Sequence, residues 1–237
     1  MKRWIGVAAA GLTLAGCKAP PTRPGALLPS MTVEQLAAAV AADAQRSDTE
    51  TDSKIRDQLA ADAIQNAQAC LERAPKAAAC LYYDGVALGL KARAHPLQAN
   101  EALKSMLDAL NGAEEADPAY DQAGPARVKA LVLIKAPAWP LGPGDPEAGL
   151  AAARRAIGLR PDYPPNVLAL AEALAKTGDT AGAQDTYRRA RDLIRALPPG
   201  RDRDDWLHQA DQGLGKRSAP HQTGARSGTL KEPQSGS

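Results

Sequence analysis

Three cysteines carry the clearest chemistry in this 237-residue chain. Cys17 ends the run Leu14-Ala15-Gly16-Cys17, an aliphatic residue, two small residues and a thiol, which is the pattern of a bacterial lipobox. Its thiol is the nucleophile that takes a diacylglyceryl group. A peptidase with a narrow site then cuts before it, which is why small residues stand at Ala15 and Gly16. The freed amine accepts a further acyl chain such as palmitate. At about 0.8 kcal/mol per buried CH₂, two or three chains make a firm anchor. Lys2 and Arg3, followed by an apolar run from Trp4 to Leu14, supply the charged flank and the short hydrophobic core of a secretion signal. That run is too short for a stable membrane-spanning helix. Lys18 stands where an Asp marks inner-membrane retention in Gram-negative lipoproteins, so the outer membrane is favoured.

An envelope location places Cys70 and Cys80 where disulfides persist. Pro75 lies five residues from each, so the two sulfurs occupy equivalent places on opposite arms of a helical hairpin. That symmetry brings them together, so a Cys70–Cys80 disulfide is expected; the competing reading is two packed free thiols, separated by rotation about the helices. His95, His208 and His221 are scattered and read as surface or packing residues, so neither a metal nor another cofactor is expected. There is no nucleophile elbow and no phosphate loop. GPGDPEAG contains Gly-x-Gly, but its prolines and the lack of a preceding strand argue against dinucleotide binding. Adjacent acids such as Glu114-Glu115 do not share a helix face. An enzyme is therefore not expected.

Cleavage before Cys17 removes two cations and leaves 27 basic and 27 acidic residues. That balance argues against nucleic acid, which needs a basic surface. With no Phe, 3% aromatic residues and abundant Ala and Leu, the chain suits closely packed helices and suits strands poorly. The expected organisation is a signal at 1–16, a proline-rich tether at 17–30, a helical domain at 31–214 and a polar tail at 215–237 of net charge +3, expected to be disordered. Within the domain, Thr32 and Gln35 form a capping-box pair ahead of the first helix. Further helices are expected near 53–73, 77–94, 98–116, 122–136, 146–159, 165–177, 180–197 and 202–213. Short connections imply antiparallel neighbours.

AIGLRPDY and AEEADPAY share an alanine, a proline and a tyrosine at matching offsets, and Gly144-Asp145 and Gly178-Asp179 are 34 residues apart. The stretch NVLALAEALAKTGDTAGAQDTYRRARDL resembles a tetratricopeptide repeat. Leu170, Ala171 and Leu174 fall on its first-helix positions, and Ala183, Tyr187 and Ala190 on its second. The fold expected is all-α, antiparallel hairpins stacked as a tetratricopeptide-like superhelix, with Trp206 and Leu207 capping it. Departures are Gly149 where Ala is usual, Arg195 where Pro is usual, and a break at Pro137 that opens the loop APAWPLGPGD.

The segment around that loop is similar to the T-component (TatT-like) family of tripartite (TRAP) transporters. The residues that carry the likeness are Gly124, Pro125 and Arg127; Ala136, Pro137, Trp139 and Pro140; Gly144 and Asp145; and Pro161, Asp162 and Tyr163. About fifty residues are covered strongly and the preceding cysteine-bearing helices more loosely. The resemblance implies a lipid-anchored, repeat-like helical protein facing the periplasm. It also implies association with a solute-binding transporter subunit and homo-oligomers. A general scaffold for envelope assembly, using a concave repeat surface, is the alternative.

The long 136–145 loop in an otherwise short-connected array is the expected working surface. Trp139 sits in it between prolines, and Arg127 lies on the helix leading into it, placed to meet a ligand carboxylate. Tyr82 and Tyr83 add aromatic surface if the array curves back. The competing reading makes Trp139 a plug in the stack and Arg127 the partner of an internal acid.

Overall fold

A computed structural model describes residues 30–215. The lipobox cysteine, the signal, most of the tether and all but the first residue of the tail lie outside the described residues. Within them run α1 (Val33–Thr49), α2 (Ser53–Arg73), α3 (Ala78–Ala94), α4 (Ala99–Ala116), α5 (Tyr120–Lys135), α6 (Pro146–Leu159), α7 (Pro164–Thr177), α8 (Thr180–Arg195) and α9 (Arg201–Gly215). A single 3₁₀ turn (Pro96–Gln98) precedes α4, and no strand occurs among the described residues. The chain is all-α. Consecutive helices pack on one another, and α1, α3, α5, α7 and α9 also touch in succession, so the hairpins stack side by side.

Local chemistry sets the helix ends. Thr32 Oγ1 accepts from Gln35 N–H at 3.3 Å while Thr32 N–H donates to Gln35 Oε1 at 2.8 Å, closing the capping box of α1. Asp52, Asp145 and Asp179 cap α2, α6 and α8 by accepting from first-turn amides. Gly178, at φ 93°, ends α7 in the left-handed conformation that glycine adopts without steric cost.

Small residues let the helices approach. Ala171, Ala183 and Ala190 are buried with Leu174 and Tyr187 in the main core of the C-terminal hairpins, against which Trp206 and Leu207 pack partly buried. Gly149 has a physical reason to depart from alanine: a Cβ there would stand 2.6 Å from Ile134 Cγ2 of α5. Separate smaller cores lie among α1–α3 and among α3–α5. Cys70 and Cys80, both fully buried, are bonded across the α2–α3 turn with Cα atoms 5.3 Å apart, and they pack with Leu36 of α1.

The helix expected at 122–136 differs at its start. Asp121, Gln122 and Ala123 have φ of 46°, 56° and 64°, a left-handed turn of three non-glycine residues, so the regular part of α5 begins at Gly124. Such residues cost roughly 1–2 kcal/mol each in that conformation, so the surroundings must hold them there.

Candidate functional site: a polar pin and an apolar groove

Arg127 is the group that holds the turn. Its Nη1 donates to the carbonyls of Asp121 (3.2 Å) and Gln122 (3.3 Å) and to Asn166 Oδ1 (3.1 Å), while Nη2 donates to Asp121 Oδ2 at 2.8 Å. Asn166, fully buried at the start of α7, passes its amide hydrogens to the carbonyls of Gln122 (3.0 Å), Ala156 (3.3 Å) and Arg160 (3.1 Å). Tyr82 of α3 donates its hydroxyl to the same Asp121 Oδ2 at 2.8 Å. The guanidinium also sits 5.3 Å from the centre of the Tyr163 ring. Gly124 completes the fit, because a Cβ there would be 2.8 Å from Asp121 Oδ2 and 3.0 Å from Tyr82. Gly124, Pro125 and Arg127 are thus one device: room for the turn, a proline in the first turn of the regular helix, and a fork that collects the freed carbonyls.

Of the expected site residues, the structure brings together Arg127, Tyr82 and Tyr83. Tyr83 lies edge-on to Tyr82 with ring centres 5.1 Å apart, and Tyr120 lies edge-on to Tyr82 at 5.4 Å. Burial drives the phenol of Tyr82 well above its usual range, with the Asp121 carboxylate adding to the shift against the opposing pull of Arg127. Burial also lifts Tyr120 to about 12. These phenols therefore stay protonated donors at neutral pH. Two expectations need correcting. Arg127 meets an internal carboxylate, that of Asp121, and is only 8% exposed. Tyr82, at 5% exposure, is core and not open aromatic surface.

Trp139 stands apart, beyond the opposite end of α5, and it does not plug the stack: it is 85% exposed. Its loop borders the second feature, an apolar groove of about 860 Å³ between α3, α4 and α5. Val86, Leu90, Leu103, Met106, Val128 and Val132 line its walls, Pro137 borders it, and its charged residues are Asp48, Arg93 and Lys135. Both cations are already paired, Arg93 with Asp48 and Lys135 with Glu172, each at 2.9 Å. The sequence reading missed the groove, as it missed Asp121 and Asn166. Among the described residues no cluster of His, Cys, Asp or Glu is placed to hold a metal, and no helix is long and apolar enough to cross a membrane.

No protein-family model matches the chain, and no curated protein is detectably similar to it.

Proposed function

We propose that this chain is a non-enzymatic binding protein of the bacterial envelope, anchored by lipid on Cys17 and facing the periplasm, whose apolar groove takes a ligand with a hydrocarbon body. Its role is that of an accessory to solute uptake, the T component of a tripartite transporter, working beside a solute-binding subunit. The groove carries the reading. Fully burying a Val, Leu or Met side chain is worth about 1.5–3 kcal/mol, so apolar side chains left only partly covered leave free energy for a ligand to recover. Leu90 and Met106 are already buried, while Val86, Leu103, Val128 and Val132 are only partly buried where they border a space of about 860 Å³, within the size range of small-molecule sites. The pinned turn serves this arrangement by fixing α5, one wall of the groove, against α3 and α7.

Titration of residues 18–237 with a fluorescent long-chain fatty acid tests the site. Saturable binding is expected, weakened at least tenfold by Leu103→Trp, which fills the groove with apolar volume. Binding unchanged in a folded Leu103→Trp protein sinks the reading. The anchor has its own test. Labelled palmitate is expected on the wild-type chain and absent from Cys17→Ser, and label persisting on that variant rejects acylation at Cys17.

The scaffold alternative draws on a different feature, a groove of about 610 Å³ of mixed lining, where Lys176 of α7, Gln184 of α8 and Gln212 of α9 meet Ile134 and Tyr187. Capture of assembly factors in place of a solute-binding subunit from envelope extracts favours it.

A further inference from the structure

We infer that the 136–145 loop and the Pro96–Gln98 turn form a lipid-contact face, which opens the groove onto a bilayer. Trp139 and Leu141 are 85% and 77% exposed, and Leu97 is fully exposed. Pro137, two residues before Trp139, and Ala99, two residues after Leu97, both line the groove, so both exposed segments adjoin it. Scattered exposed apolar residues need no explanation, but three large ones on segments that adjoin an apolar groove do.

The backbone of the loop identifies the occupant. From Ala136 to Gly144 the sequence is APAWPLGPG, nine residues without a charged side chain. Pro137, Pro140 and Pro143 have no N–H. The amide of Ala136 is bonded to Val132 O (2.9 Å), those of Leu141 and Gly142 to Ala138 O (3.0 and 3.2 Å), and that of Gly144 to Pro137 O (2.8 Å). Four of the six N–H groups from Ala136 to Gly144 are therefore bonded within the protein, which lowers the cost of setting the loop at a lipid interface. Apart from the Trp139 indole no side chain from Ala136 to Gly144 is polar, so the loop offers a protein partner few of the side-chain hydrogen bonds found at the rim of a contact. A Trp beside Leu, with its indole N–H free to meet headgroups, suits the lipid interface. The placement of a bilayer beside this face rests on the proposed acylation of Cys17. The thirteen residues 17–29 span at most about 45 Å, whereas the whole of α1, 17 residues, is about 25 Å long. The tether is therefore long enough to bring the groove mouth, at the far end of α1, down to the surface.

The test uses residues 18–237, which lack the anchor and keep every described helix, with vesicles of phosphatidylethanolamine and phosphatidylglycerol. Weak partitioning is expected, with Trp139 emission quenched by brominated acyl chains. Trp139→Ser/Leu141→Ser is expected to lower the partition coefficient at least tenfold at unchanged melting temperature. Leu97→Ser, on a separate element, is expected to lower it independently. Leu103→Trp is expected to leave it intact, so failure of the groove reading and failure of the lipid face are distinguishable. Absent partitioning, or partitioning unchanged in both Trp139→Ser/Leu141→Ser and Leu97→Ser, overturns the inference. So does a loop variant that keeps vesicle binding and loses a soluble protein partner.

Discussion

Arg127→Ala is expected to destabilise the protein by about 3 kcal/mol, the lower end of what breaking a buried ion pair costs, because Asp121 remains partly open to water. The loss has two sources. Four hydrogen bonds disappear, two of them to carbonyls of a turn that the chain does not adopt willingly. Without them, Asp121, Gln122 and Ala123 relax toward ordinary backbone angles and the start of α5 shifts against α3 and α7. For a domain of this size the change corresponds to a melting temperature lower by roughly 6–12 °C. Arg127→Lys should recover little of it, because an ammonium group cannot reproduce the planar fork that reaches the Asp121 carboxylate, two carbonyls and Asn166 together. Thermal denaturation followed by circular dichroism measures both variants. A melting point within 2 °C of wild type, combined with lost ligand binding, would return Arg127 to the role of a ligand-binding group and reject the pin.

That pin also marks where sequence reading stops. The helices were legible because their causes are local: a capping box at Thr32, prolines at Pro146 and Pro164, a glycine stop at Gly178, and apolar residues at helical spacing. The left-handed turn is not local. Nothing in Asp-Gln-Ala announces positive φ, which is imposed by Arg127, Asn166 and Tyr82 from three different helices. The motif Gly124-Pro125-x-Arg127 stood out only as a resemblance until its contacts gave it a physical meaning. The groove was hidden for another reason. Val128 and Val132 fall on an apolar stripe whether that stripe meets a neighbouring helix or an open space, and periodicity does not distinguish the two. Trp139 was visible as unusual, yet its exposure depends on how the loop folds back on Pro137, which spacing does not encode.

Removing the Cys70–Cys80 bond is expected to cost about 2.5–3 kcal/mol, the loop-closure entropy for a ring of this length. The bond closes ten residues around Pro75 and joins the last turn of α2 to the first turn of α3. Its position matters beyond the ring. Both sulfurs are fully buried beside Leu36, and Met31 and Val33 pack partly buried against the same cluster, so the bond also supports the docking of α1. Cys70→Ala/Cys80→Ala is the informative variant, because a single replacement leaves a free thiol that can pair elsewhere. Its melting temperature should fall by several degrees, and hydrogen exchange should quicken first in the first turns of α1. The native bond should resist reductant until the hairpin opens, since neither sulfur is accessible, and yield once denaturant is added. Two outcomes reject the assignment: both thiols alkylated in native, unreduced protein from the envelope, or equal stability of the oxidised protein and the double alanine variant.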